Sequence, residues 1–123
     1  MTEWKPYAFY GIFVDKKTRD QVFGDDWRPA GGWFGIGMPN WERVYDYGPA
    51  RLIRKPGGHV SIEVHMLGPK AERVADMIEG VHRGMYYRDT VLNVFGDEWP
   101  TDLFTACDPA DITIYMMNVK EEE

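Results

Sequence analysis

The sequence predicts a mixed α+β fold, and three observations carry that prediction. Short β-branched and aromatic runs, about six of them, outnumber the two or three segments with helical periodicity. Gly and Pro clusters separate these runs. No regular alternation of strand and helix recurs, which argues against a parallel α/β sheet.

Taken in order, Tyr7 to Val14 (YAFYGIFV) is almost wholly apolar and suits a strand buried on both faces, interrupted at Gly11. A glycine inside an aromatic strand fits a β-bulge against a large neighbour, or a turn whose consecutive N–H groups form an anion nest. Asp15 then reads as the N-cap of a short helix with Thr18, Val22 and Phe23 on one face and Gly24 at its end. From Gly24 to Trp41 the chain holds three of its five tryptophans among glycines and prolines, and reads as a long loop or irregular hairpin. Arg43 to Tyr47 and Ala50 to Arg54 flank Gly48-Pro49, and Lys55-Pro56-Gly57-Gly58 reads as a turn into the strand His59 to Leu67. That strand alternates, with Val60, Ile62, Val64 and Met66 on one face and Ser61, Glu63 and His65 on the other. Gly68-Pro69 opens a second helix in which Ala71, Val74, Ala75 and Ile78 follow amphipathic spacing, and Gly80 is placed to stop it. After Gly84, the runs MYYRDTVLNV and ITIYMMNV both read as strands.

With 123 residues, 44% hydrophobic and 15% aromatic, the composition is that of one domain, with a short acidic tail at 120–123. Folding a chain of this length removes roughly 65–70% of its unfolded surface, so neither a metal nor a disulfide is required for stability. The formal net charge of -6 and the lack of a Lys/Arg stripe argue against binding a nucleic-acid duplex. A local basic spot such as Arg51, Arg54 and Lys55 is enough for a small anion. No apolar run approaches the ~20 residues of a membrane-spanning helix. The N-terminus lacks a signal-peptide pattern and Cys107 has no partner for an internal bridge, so a cytoplasmic location is expected.

The common catalytic signatures do not occur. The three histidines form no HExxH or His/Cys cluster, and His59 and His65, if in one strand, lie roughly 20 Å apart. There is no GxSxG elbow or phosphate-binding GxxxxGK[ST] loop. Cys107 has no basic neighbour to lower its pKa and reads as a small packed residue. Two features remain: the Tyr10-Gly11-Ile12-Phe13 segment and Glu79, an acid beside apolar Ile78 at a helix end that ordinarily favours cations. A plain solvated glutamate is the competing reading.

Residues 78–88, IEGVHRGMYYR, resemble the EG-x(3)-G-x-Y-x-R signature of the γ-glutamylcyclotransferase-like superfamily. Phe9-Tyr10-Gly11-Ile12-Phe13 is similar to that superfamily's N-terminal YG loop, Asp46 to Ala50 resembles its D-x-G-x-PA turn, and VSIEVH at 60–65 resembles its V-x-G-E-V-Y strand. The four matches occur in the superfamily's order, within a domain core of about 7–119. Ile12 and Phe13 depart from the loop pattern, where a small polar residue and a leucine are usual.

The resemblance implies a small mixed β-barrel with flanking helices. It also implies a substrate carrying a γ-glutamyl-like group, held by Tyr10, Gly11, Ile12 and Phe13, with Glu79 as acid/base and Tyr86 orienting the substrate. The implied reaction closes 5-oxoproline by attack of the α-amine on its own γ-carbonyl and releases an amine or short peptide, with no metal or organic cofactor. A second reading keeps the cavity without turnover, as a binding protein that sequesters a small metabolite or nucleotide. A protein-binding surface is the third, and no exposed pattern singles out a partner face. The Trp27 to Trp41 segment either borders the cavity with flat rings or supplies its own local core.

Overall fold

A computed structural model of the chain describes residues 3–30, 36–100 and 107–119. Among the described residues six strands, β1 (Lys5–Phe9), β2 (Trp27–Pro29), β3 (Ile36–Val44), β4 (Arg51–Leu67), β5 (Tyr86–Thr90) and β6 (Thr113–Met117), form one mixed sheet. Three α-helices accompany it: α1 (Lys16–Phe23), α2 (Pro69–Ile78) and α3 (Val91–Phe95). The strand order is β2-β4-β1-β6-β5, with β3 paired to the first part of β4. All pairings are antiparallel except β1 with β6.

The sheet is open, which corrects the expected small barrel. Closure needs a ladder between the first and last strands. Here, among the described residues, β2 offers three residues paired only to β4, and β5 pairs only with β6, so the two ends do not meet.

Alternation along β1 explains the layers. Tyr7 and Phe9 pack with Phe13, Phe23, Ala71 and Ala75 beneath α1 and α2. Ala8 and Tyr10 face the other side, where Ile36, Met38, Trp41, Ile62 and Phe95 form a second core. The strand is therefore buried on both faces, as its apolar run predicts, but it ends at Phe9 rather than Val14. Ile12–Val14 form a 3-10 turn, in which the Val14 N–H donates to the Gly11 carbonyl and the Asp15 N–H to the Ile12 carbonyl.

The caps fall where expected. The Asp15 carboxylate accepts from the Thr18 N–H and hydroxyl, opening α1. Gly80, with φ of +67°, turns the chain out of α2.

Three readings need correction. Lys55 to Gly58 is not a turn: β4 runs continuously through it opposite β3, with a register shift between Pro39 and Trp41. Gly57, at φ of +82°, donates its N–H to the Asn40 side chain. A Cβ on Gly58 would lie 2.8 Å from the Trp41 carbonyl oxygen, so within this bulged hairpin Gly58 serves close backbone approach and Gly57 the left-handed conformation. The Gly24 to Trp41 segment contributes β2 and the first part of β3, while 31–35 lie outside the described residues, as does the 120–123 tail. The run after Gly84 is strand only to Thr90, whose hydroxyl accepts from the Asn93 N–H and starts α3. Among the described residues no helix is long and apolar enough to cross a membrane.

Candidate active site

A cavity of about 310 Å³ opens at the end of β1, and its walls come from segments far apart in sequence. The turn at 10–13 forms one wall, Gly48, Pro49 and Ala50 another, and the end of α2 with the start of β5 closes it. All six residues singled out from the sequence, Tyr10, Gly11, Ile12, Phe13, Glu79 and Tyr86, line this one space.

Their contributions differ in kind. Tyr10 is buried and its hydroxyl donates to the Tyr115 carbonyl at 2.6 Å, so its ring forms floor. Burial raises that phenol far above its ordinary value, and it stays protonated. Phe13 turns its ring away into the core against Phe9 and Phe23, leaving its backbone at the cavity. Ile12 is exposed at the mouth. Tyr86 forms a wall, and its hydroxyl donates to the Ala50 carbonyl, joining β5 to the 48–50 turn. Burial, with a smaller contribution from nearby Glu79, lifts its pKa to about 12.

Among the described residues, no backbone or side-chain acceptor takes the N–H groups of Gly11, Ile12 or Phe13. These are the free donors that head a helical turn. Two guanidinium groups hold the turn's carbonyls. Arg43 donates to the Tyr10 carbonyl at 2.7 Å, and Arg19 to the Phe13 and Val14 carbonyls at 2.7 and 2.8 Å.

Arg19 is buried, stacks on the Trp27 ring at 4.5 Å and lies 3.6 Å from Glu63, which in turn meets His65 Nε2 at 3.0 Å. The VSIEVH strand thus reaches the turn through Glu63. Gly11 contributes space: a Cβ there would sit 3.6 Å from Ala50 Cβ, across the cavity.

Glu79 follows the last residue of α2, with its N–H donating to the Ala75 carbonyl. Its carboxyl has no hydrogen-bond partner among the described residues, and burial alone raises its pKa to about 7. Most carboxyls packed against a sheet are paired, and those of neighbouring Glu72 and Asp76 are. Tyr7 donates to Glu72 at 2.5 Å, Tyr115 to Asp76 at 2.6 Å, and Arg88 binds Asp76 with two hydrogen bonds of 2.6 and 2.9 Å. This network fastens α2 to β1, β5 and β6, and so fixes where the helix ends. The EG-x(3)-G-x-Y-x-R string therefore combines a lone acid, two left-handed glycines, a cavity wall and an arginine that anchors the preceding helix.

Sequence reasoning missed Arg19, Arg43 and Arg88 as supports and Tyr45, Ile78 and Met85 as lining. Arg19 stands among Lys16, Lys17 and Asp20 in what reads as a solvated helix, with no signal to separate it. Asp46 to Ala50 was legible as a motif: Arg51 pairs Asp46 through two hydrogen bonds, Gly48 takes φ of +99°, and the turn presents Ala50 to the cavity. Trp27 and Trp41 do not border the cavity. Trp27 packs edge-on to His65 and donates to Asp20, whereas Trp41 packs against Phe95.

No protein-family profile matches the chain, and no curated protein matches it by sequence. Solved structures do. A gamma-glutamyl cyclotransferase superimposes over 97% of this chain and 69% of its own, with a TM-score of 0.61 and 14% identity. An uncharacterized protein from Homo sapiens superimposes over the same shares, with a TM-score of 0.61 and 17% identity. The chain has the γ-glutamylcyclotransferase-like fold that its four motifs imply.

Proposed function

We propose that this chain is a cyclotransferase that releases 5-oxoproline from a γ-glutamyl amide. The observation that carries the reading is Glu79: a carboxyl poised near pH 7 by burial and, among the described residues, unpaired, lining the same cavity as three backbone N–H groups that have no acceptor among those residues. Burial beside catalytic geometry is how a carboxyl becomes a competent base at neutral pH.

In this reading the N–H groups of Gly11, Ile12 and Phe13 bind the substrate's α-carboxylate, and Tyr86 and Ala50 hold its chain bent. The Glu79 carboxylate takes a proton from the α-ammonium. The freed amine nitrogen attacks the γ-carbonyl carbon and closes a five-membered ring. The bond from that carbon to the leaving nitrogen breaks as Glu79 returns its proton there, and the second proton, shed by the ring nitrogen as it becomes an amide, passes to the released amine, which departs as an ammonium ion. No water is consumed and Glu79 ends ionised. Because the attack is intramolecular, holding the near-attack shape supplies much of the acceleration.

The test is mass-spectrometric detection of 5-oxoproline from γ-glutamyl amides with wild type and Glu79→Gln. Release by wild type alone is expected. Ile12 favours a second reading, a binding protein of the same cavity, because it puts an exposed apolar side chain where the resembled loop carries a polar one. Tight binding of a γ-glutamyl amide by wild type without 5-oxoproline would select that reading.

A further inference from the structure

Four side chains from four separate segments converge on the mouth of the cavity, and all are apolar or aromatic. They are Ile12 after β1, Tyr45 after β3, Ile78 at the end of α2 and Met85 before β5, with fractional exposures of 58%, 57%, 40% and 39%. Single exposed hydrophobics are ordinary; a ring of them around one opening marks a binding surface. Ile78 makes the point most sharply. Its spacing in α2 is that of the buried Ala71 and Ala75, yet it stays open at the mouth.

Charge is distributed just as unevenly. Among the described residues Glu79 is the one charged side chain lining the cavity, and no Lys or Arg does so. The nearby guanidinium groups are engaged: Arg43 with the Tyr10 carbonyl and the Tyr45 ring, Arg51 with Asp46 and the Tyr47 ring.

From this collar we infer that the amine released is uncharged apart from its reacting nitrogen and apolar, an alkyl- or arylalkylamine. This rests on the cyclotransferase reading above. An amino-acid leaving group carries a carboxylate two bonds from the scissile nitrogen, which would enter an apolar ring without a cation and near Glu79. Taking an unpaired carboxylate out of water there is costly, and the chain's formal net charge of -6 adds repulsion. An alkyl or benzyl group instead covers Ile12, Ile78 and Met85 and stacks on Tyr45.

The experiment compares kcat/KM for 5-oxoproline release from γ-glutamyl-isobutylamide, γ-glutamyl-benzylamide, γ-glutamyl-alanine and γ-glutamyl-putrescine. The two apolar amides are expected to exceed the other two by at least about tenfold, the scale of a few methylenes or a misplaced charge. Ile12→Arg, an exposed position, is expected to shift the ratio of γ-glutamyl-alanine to γ-glutamyl-isobutylamide upward by about tenfold, at unchanged melting temperature. Equal or faster turnover of the alanine or putrescine derivative overturns the apolar assignment and leaves cyclisation standing. No 5-oxoproline from any of the four overturns both.

Discussion

Glu79 and Gly11 illustrate how one residue can be read from chemistry or from space. Burial raises the Glu79 pKa from 4.5 to about 7, so the folded state holds a proton that the unfolded chain has lost. Its contribution to stability is thus complete below about pH 4.5 and lost as pH rises through about 7. Glu79→Gln is expected to flatten that fall and to gain on the order of 1–3 kcal/mol relative to wild type at pH 8, after allowance for partial solvent screening. Denaturant melts at pH 4 and pH 8 check it; parallel wild-type and variant pH profiles would contradict it. Gly11 acts through room. Gly11→Val is expected to direct its side chain toward Ala50, lowering γ-glutamyl amide affinity by more than about tenfold with little change in melting temperature. Titration calorimetry measures the first and a thermal melt the second. Glu79 was legible because an acid at a helix C-terminus contradicts the local dipole, whereas the lack of any partner for it depends on packing that no spacing encodes.

At the scale of elements, the site depends on two clamps. Arg19 ties α1 to the 10–14 turn and is buried, so Arg19→Met strands two backbone carbonyls and leaves Glu63 with His65 as its remaining partner among the described residues. A loss of about 3 kcal/mol is expected in a denaturant titration, with ligand affinity falling alongside. Arg88 ties β5 to α2 through Asp76 and acts on Glu79 only by position. Its side chain is partly exposed, so Arg88→Ala is expected to cost about 1–2 kcal/mol. It should lower kcat/KM while leaving the acid limb near pH 7 in place, and Arg88→Lys should rescue poorly because a single ammonium nitrogen cannot reproduce the planar two-nitrogen fork onto Asp76. A shifted acid limb would instead implicate Arg88 in tuning Glu79. Element types were readable where periodicity and caps agree, as in α1, α2 and the β4 face from Val60 to Met66. They were misread where glycines serve a bulged hairpin, Gly57 by its positive φ and Gly58 by close approach, and where β-branched residues open a helix after a capping Thr90.

Across the whole molecule, the order of motifs along the chain was more informative than any one of them. The turn at 10–13, the Asp46 to Ala50 turn and the Glu79 to Arg88 string are separated in sequence, and the sheet gathers them around one cavity, while the Glu63 strand braces the first of them through Arg19. Pairing of β1 with both β4 and β6 brings this about, by setting its C-terminal end beside Tyr86 and the end of α2. That long-range pairing is invisible to local pattern, which is why the sheet's open ends and the apolar collar were not foreseen. The most direct measurement is 5-oxoproline release from γ-glutamyl-isobutylamide by wild type and Glu79→Gln across pH 5 to 9. The account predicts a wild-type kcat/KM that rises through about pH 7 and a variant at least about 100-fold slower at every pH, with its fold intact. A Glu79→Gln variant that cyclises at the wild-type rate would contradict it.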